Sequence, residues 1–152
     1  MMDIIKLIPY ITATIAAFWA LYIFNKQQKF KRLQNLSSLW KEFSNNDQLL
    51  ELFDIMDQIE IDPLRAMELA QIESKVKLKY LALIEEVALY IENFEIDKKY
   101  AKYLFQWHFF YAYESKITII PFWQNLGGED EMKKPYWGKS RNLATKIKPQ
   151  DN

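Results

Sequence analysis

An uncharged stretch of 18 residues near the N-terminus, Leu7–Phe24, limits what this chain can fold into more than any other feature. A helix needs about 20 mainly apolar residues to span the hydrocarbon core of a bilayer. Trp19 and Tyr22 lie near the C-terminal end of the stretch, where membrane helices place aromatic rings. The sequence therefore predicts a transmembrane anchor within residues 1–25. The alternatives are a cleaved signal peptide and a buried helix of a bundle.

The charges that flank this stretch predict its orientation. Lys26, Lys29, Lys31 and Arg32 follow it at once, whereas the N-terminal flank holds one acidic and one basic residue. Lys and Arg are enriched on the cytoplasmic side of membrane helices, so we expect the N-terminus outside and the remaining chain in the cytoplasm, at the bacterial inner membrane. A signal peptide carries its positive charge before its apolar core, which argues against cleavage. The four basic residues are also expected to bind anionic lipids, at about 1 kcal/mol each.

Small side chains share one face of the predicted anchor. At about 100° per residue, this face carries Thr12, Ala13, Ala16, Ala17 and Ala20. The opposite face is bulky. Helices approach closely in lipid where small residues are spaced four apart, so the sequence predicts a homo-oligomer that associates through this face. The alternative is that the alanines align by chance.

The rest of the chain has the pattern of a helical protein. The 152 residues include only three glycines, and apolar residues recur at steps of three and four. We therefore predict an all-α protein with one N-terminal transmembrane helix and a cytosolic bundle of four to five helices. Residues 26–43 form a juxtamembrane basic helix, and residues 44–152 form the cytosolic helical domain. Within that domain we expect a long helix from Pro63 to about Asn93 and another over 98–114, capped by Asp97.

An aromatic segment, YAKYLFQWHFFYAY at 100–113, places eight aromatic residues within fourteen positions. Polar residues in and after it, Lys102, Gln106, His108 and Glu114, exclude a second membrane span because no apolar run approaches the required length. The pattern predicts a central helix that is buried nearly all round. The alternative is an interfacial helix with Tyr and Trp rings at the depth of lipid headgroups. Residues 115–123 are expected to be extended or a short helix.

The sequence offers no constellation of catalytic groups. Without cysteine, thiolate nucleophiles and Cys-based zinc sites are excluded. His108 stands among aromatic residues and is predicted to be buried and hydrogen-bonded rather than a general base. Glu85 and Glu86 lack the Glu-x-x-His arrangement of a bundle metal site and are expected to be solvated or ion-paired. We therefore predict no enzyme, no cofactor and no metal. Equal numbers of basic and acidic residues, 20 of each, argue against dedicated DNA binding.

A second basic cluster lies near the C-terminus. Lys133, Lys134, Lys139 and Arg141 alternate with the aromatic residues Tyr136 and Trp137. Such a cluster predicts binding of anionic lipid, of a nucleotide or oligonucleotide, or of a protein partner. The alternative is a solvated tail.

Two segments carry a resemblance to a known group of proteins. They are YLALIEEVALYIENFEIDKKYAKYLF and YWGKSRNLATKIK, within roughly 81–148. This part of the chain resembles small bacterial single-pass membrane proteins with an all-helical cytosolic domain of unknown function, some of them encoded beside phage-defence genes. The resemblance implies a defence-associated membrane protein with an antiviral role. Together with the small face of the predicted anchor, we expect an oligomeric membrane effector that forms a pore or ion channel or otherwise perturbs the membrane, under control of a cytosolic ligand or partner. The alternative function is a non-enzymatic, membrane-tethered scaffold.

Overall fold

A computed structural model describes the backbone of residues 4–94, 98–147 and 149, and the side chains of residues 10–93, 99–100, 102–147 and 149. Within these residues the chain forms eight α-helices and no strand, so the predicted all-α class is confirmed. The helices are α1 Ile4–Ser44, α2 Asp47–Gln58, α3 Arg65–Gln71, α4 Ser74–Phe94, α5 Lys98–Tyr113, α6 Ile119–Trp123, α7 Gly128–Met132 and α8 Gly138–Ile147, with 3-10 turns at Gln124–Leu126 and Pro135–Trp137. Seven of these helices follow α1, more than the four to five predicted for the bundle, because several of them are short.

The chain divides into two units, residues 1–35 and residues 36–152. The boundary lies inside the predicted juxtamembrane helix, and α1 runs through it without a break. Among the residues whose side chains are described, no helix is long and apolar enough to cross a membrane. Leu7, Ile8 and Pro9 of the predicted span lie outside those residues.

The turn between α1 and α2 is stabilised by a side-chain cap. The SNND segment ends α1 at Ser44, and Asn46 adopts an extended conformation as the N-cap of α2. Its side-chain oxygen accepts a hydrogen bond from the backbone N–H of Leu49 at 3.2 Å, which satisfies a donor that the helix start leaves unpaired. The apolar side of α2, including Leu52 and Met56, is fully buried.

The single long helix predicted from Pro63 to Asn93 is wrong. Helix α3 begins at Arg65, and the chain leaves helical geometry at Ile72 (φ −54°, ψ 133°) before α4 begins. The break contains neither Gly nor Pro. Instead, the side-chain amide of Asn125 donates to the carbonyl oxygens of Ala70 and Ile72, at 3.3 and 2.8 Å. A long-range contact thus satisfies carbonyls at the end of α3.

Helices α4, α5 and α8 pack against one another and form much of the core of residues 36–152. The side chains that are fully buried in this core include Leu36, Phe43, Leu49, Leu52, Met56, Tyr80, Phe105, Phe109, Phe122 and Trp123. The predicted cap Asp97 lies outside the described residues. Residues 115–123 end in the short helix α6 rather than in an extended segment. Residues 127–131, with the sequence GGEDE, begin with Gly127 in a left-handed conformation (φ 116°) and continue into α7.

Candidate membrane interface

The N-terminal helix exposes a long series of large apolar side chains. Helical geometry brings them to the surface of α1, and their exposed fractions lie between 39% and 73%. They are Tyr10, Ile11, Ile15, Phe18, Trp19, Leu21, Tyr22, Ile23 and Phe24. Exposed apolar surface of this extent is rare on soluble monomers and marks sites that contact a partner or a membrane. No charged residue interrupts the series.

The small face of α1 is also exposed. Its members Thr12, Ala13, Ala16, Ala17 and Ala20 are all at the surface. Nearby, the Thr14 hydroxyl donates to the Tyr10 carbonyl oxygen one turn earlier, at 2.7 Å. That bond satisfies a hydroxyl that would otherwise be costly to place in hydrocarbon. The association of copies through this face stays a prediction.

The first basic cluster lies on the same helix. Lys26, Lys29 and Lys31 are exposed, and Arg32 is half-buried. All four follow the apolar series within three turns of α1. Their binding to anionic lipid stays a prediction.

The second basic cluster is held largely by contacts within the chain. Lys139 pairs with Glu92 at 2.6 Å, and Lys133 pairs with Glu129 at 3.5 Å. The guanidinium of Arg141 donates to the carbonyl oxygen of Met132 at 2.7 Å. Lys134 is exposed. The segment is not a solvated tail, because α8 packs on α4 and α5 and buries Leu143, Ala144 and Ile147. A ligand-binding role for the four residues stays a prediction.

Glu85 has a structural role that the sequence analysis missed. Its carboxylate accepts hydrogen bonds from the backbone N–H groups of Lys139 and Ser140, at 3.1 and 2.8 Å. These donors belong to the first turn of α8, where a negative charge also interacts favourably with the helix dipole. Glu86 is exposed, as expected for a solvated acid. No local pattern distinguishes the two neighbours, because the partner of Glu85 lies more than fifty residues away.

His108 is buried and hydrogen-bonded, as predicted. Its side chain is 2% exposed, and its Nδ1 lies 3.0 Å from the hydroxyl oxygen of Tyr80. The rings of Phe53 and Phe43 stand against it, with centroids 4.1 and 4.4 Å away. Burial lowers the pKa of His108 to about 3, so the imidazole is neutral at physiological pH. The aromatic cluster excludes the solvent that would stabilise its charged form.

Lys77 is a buried amine on the apolar side of α4. Its Nζ donates to the side-chain oxygen of Asn125 at 2.8 Å and to the carbonyl oxygen of Pro121 at 3.1 Å. The Phe122 ring lies 5.8 Å from the amine. Burial lowers the pKa of Lys77 to about 8. A lysine at an apolar helical position is the signal that could have indicated this contact.

Comparison with known proteins adds no relative to these observations. No protein-family model, curated protein or solved structure matches this chain. The sites described above therefore rest on their own geometry. Across the part of the chain that the structure describes, no three His, Asp or Glu side chains are grouped closely enough to hold a metal ion.

Helix α5 departs from the prediction of burial nearly all round. One side of the helix is buried, with Phe105 and Phe109 fully covered. The other side exposes Tyr100, Tyr103 and Trp107. The apolar contacts of the core therefore account for only part of the aromatic excess in this helix.

Proposed function

We propose that this chain is an oligomeric membrane effector, anchored by the N-terminal segment of α1 at the bacterial inner membrane. The N-terminus lies outside and residues 36–152 lie in the cytoplasm. The observation that carries the proposal is the exposed apolar series of Tyr10–Phe24, which contains no charge and is followed at once by basic residues. A helix surface of this kind is stabilised when lipid covers it, and the basic residues favour the cytoplasmic side.

Self-association is supported by the small face of α1. Ala13 and Ala17, like Ala16 and Ala20, are spaced four residues apart on an exposed helix surface. Small residues at this spacing let two helices pack closely in lipid. Assembly of several copies is what a pore or another membrane-perturbing structure requires. The assignment to antiphage defence, under control of a cytosolic ligand or partner, is supported by the resemblance of residues 81–148.

Cysteine labelling tests the anchor and its orientation. The chain has no cysteine, so Asp3→Cys and Asp130→Cys each provide a single reactive position. In cells with a permeabilised outer envelope, a membrane-impermeant maleimide is expected to label the first variant. The second variant should react only after lysis. Both proteins should stay in the membrane fraction after carbonate washing.

Two results would contradict this proposal in different ways. Release by carbonate would show that α1 is not an anchor. Reversed labelling with retention in the membrane would leave the anchor intact and overturn the orientation.

A further inference from the structure

Helix α5 exposes three large aromatic rings on one side. Tyr100, Tyr103 and Trp107 are 54%, 82% and 43% exposed. Residues three, four and seven positions apart lie on the same side of a helix, so the rings form one surface. Each ring carries a large apolar area that a folded protein ordinarily covers. A contiguous exposed surface of this kind indicates a binding site.

Positive charge accompanies these rings. The whole of α5 contains three lysines and no acidic residue. Lys99 and Lys102 line an open groove of about 600 Å³ together with Tyr100, Tyr103 and Gln106. We refer to Lys99, Tyr100, Lys102, Tyr103, Gln106 and Trp107 as the α5 face. An occupant that fits this face carries negative charge and accepts amphipathic rings.

We propose that the α5 face binds the surface of an anionic lipid bilayer, as a membrane contact distinct from the α1 anchor. Tyr and Trp rings are favoured at the depth of lipid headgroups, where their apolar and polar parts are both accommodated. Lysines beside them attract anionic headgroups. Single-stranded nucleic acid also stacks on aromatic rings, but proteins bind it in a basic groove that follows the phosphates of several nucleotides, whereas the groove here is lined by two lysines. The inference does not depend on α1 crossing the membrane.

A single nitroxide label measures this contact in the full-length protein. Tyr103→Cys introduces the only cysteine and leaves Tyr100 and Trp107 in place. The label is compared in vesicles of phosphatidylcholine alone and of phosphatidylcholine mixed with phosphatidylglycerol. Collisions with oxygen report lipid, and collisions with a water-soluble nickel chelate report solvent. We expect collisions of the label with oxygen to increase, and those with the nickel chelate to decrease, only when the anionic lipid is present. Asp130→Cys, on the exposed acidic helix α7, is the matched aqueous control.

A charge variant tests the electrostatic part of the proposal. In the labelled protein, Lys102→Gln should lower the ratio of lipid-bound to aqueous label about fivefold, the contribution expected from one basic residue near an anionic surface. Lys79→Gln, at an exposed lysine of α4, should leave the ratio unchanged. Circular dichroism of every variant checks that the fold is retained, and Tyr100→Cys provides a second label position if Tyr103→Cys fails to fold.

Three outcomes would overturn the proposal. The label at 103 could stay as aqueous as the label at 130 in both lipids. The mobility of the label could decrease as the protein concentration rises without anionic lipid, which would indicate that a second copy of the chain covers the α5 face. The label could respond to a single-stranded oligonucleotide and not to vesicles. A parallel label from Ile15→Cys on α1 separates these results from failure of the anchor, because it reports the anchor alone.

Discussion

The protonation state of the His108 imidazole is determined by the hydrophobic cluster around it, which keeps the ring neutral. Its pKa is about 3 in the folded protein and about 6.5 in an unfolded chain. The unfolded state therefore binds the proton first as pH falls. The stability that the neutral ring provides is complete above about pH 6.5 and is lost progressively toward pH 3.

Between about pH 6.5 and pH 3, we expect the protonation of His108 to lower the free energy of unfolding by up to about 1.4 kcal/mol per pH unit. His108→Gln should lower the free energy of unfolding by about 1–2 kcal/mol near neutral pH. The reason is that a Gln side chain would replace the His108 hydrogen bond to Tyr80 only imperfectly. On acidification, the free energy of unfolding of this variant should fall less steeply than that of the unmodified protein. Denaturant unfolding followed by circular dichroism at several pH values measures both effects. Parallel pH profiles for the two proteins would show that folding does not lower the pKa of His108.

Glu85 provides a second test at the scale of one side chain. Glu85→Ala removes the acceptor of two backbone N–H groups at the start of α8. We expect a loss of about 1 kcal/mol in the free energy of unfolding, the usual cost of losing a cap. Glu86→Ala is the matched control, since the neighbouring carboxylate is exposed. Equal thermal unfolding of the two variants would argue against the capping role.

At the scale of elements, the small face of α1 is the surface through which we expect copies of the chain to associate. Replacing Ala16 and Ala17 with Leu adds bulk where two helices are expected to touch, and Leu is at least as favourable in lipid as Ala. If the proposed assembly forms, the double variant should remain in the membrane, be monomeric in detergent and lack the proposed effect on membrane permeability. Sedimentation or light scattering with correction for bound detergent measures the assembly.

The bulky side of α1 offers a matched control for this prediction. Replacing Ile11 and Ile15 with Leu conserves side-chain volume and should leave the assembly intact. If the alanine variant stays oligomeric and active, residues 36–152 hold the copies together and α1 is only a tether. The scaffold function would then be the better description of this protein.

Helical elements differ in how far local sequence determines them. The Asn46 cap and the buried side of α2 follow from local residue type and side-chain spacing. The break at Ile72 does not, because it depends on Asn125, which lies 53 residues further along the chain. The exposed side of α5 was missed for a related reason. Periodicity shows that a helix has aromatic sides but does not show which of them a neighbour covers.

For the whole molecule, composition and periodicity were sufficient for the all-α class and for the burial of His108. The contacts that close the fold of residues 36–152 were not predictable in the same way. Asp57 accepts from Tyr111, Lys77 donates to Asn125, and Glu85 accepts from Ser140. Within its own segment, none of these side chains shows which distant residue it contacts. Only the packing of distant helices brings them together.

These long-range hydrogen bonds also set an order of events during synthesis. The three pairs are separated by 54, 48 and 55 residues, so none can form before a long further segment has left the ribosome. Residues 1–35 emerge well before the last of these partners. Any capture of the N-terminal helix by a membrane during translation would therefore precede completion of the helical core. The late closure of that core leaves apolar surfaces of α2 and α4 uncovered in the nascent chain, at the stage when aggregation is most dangerous.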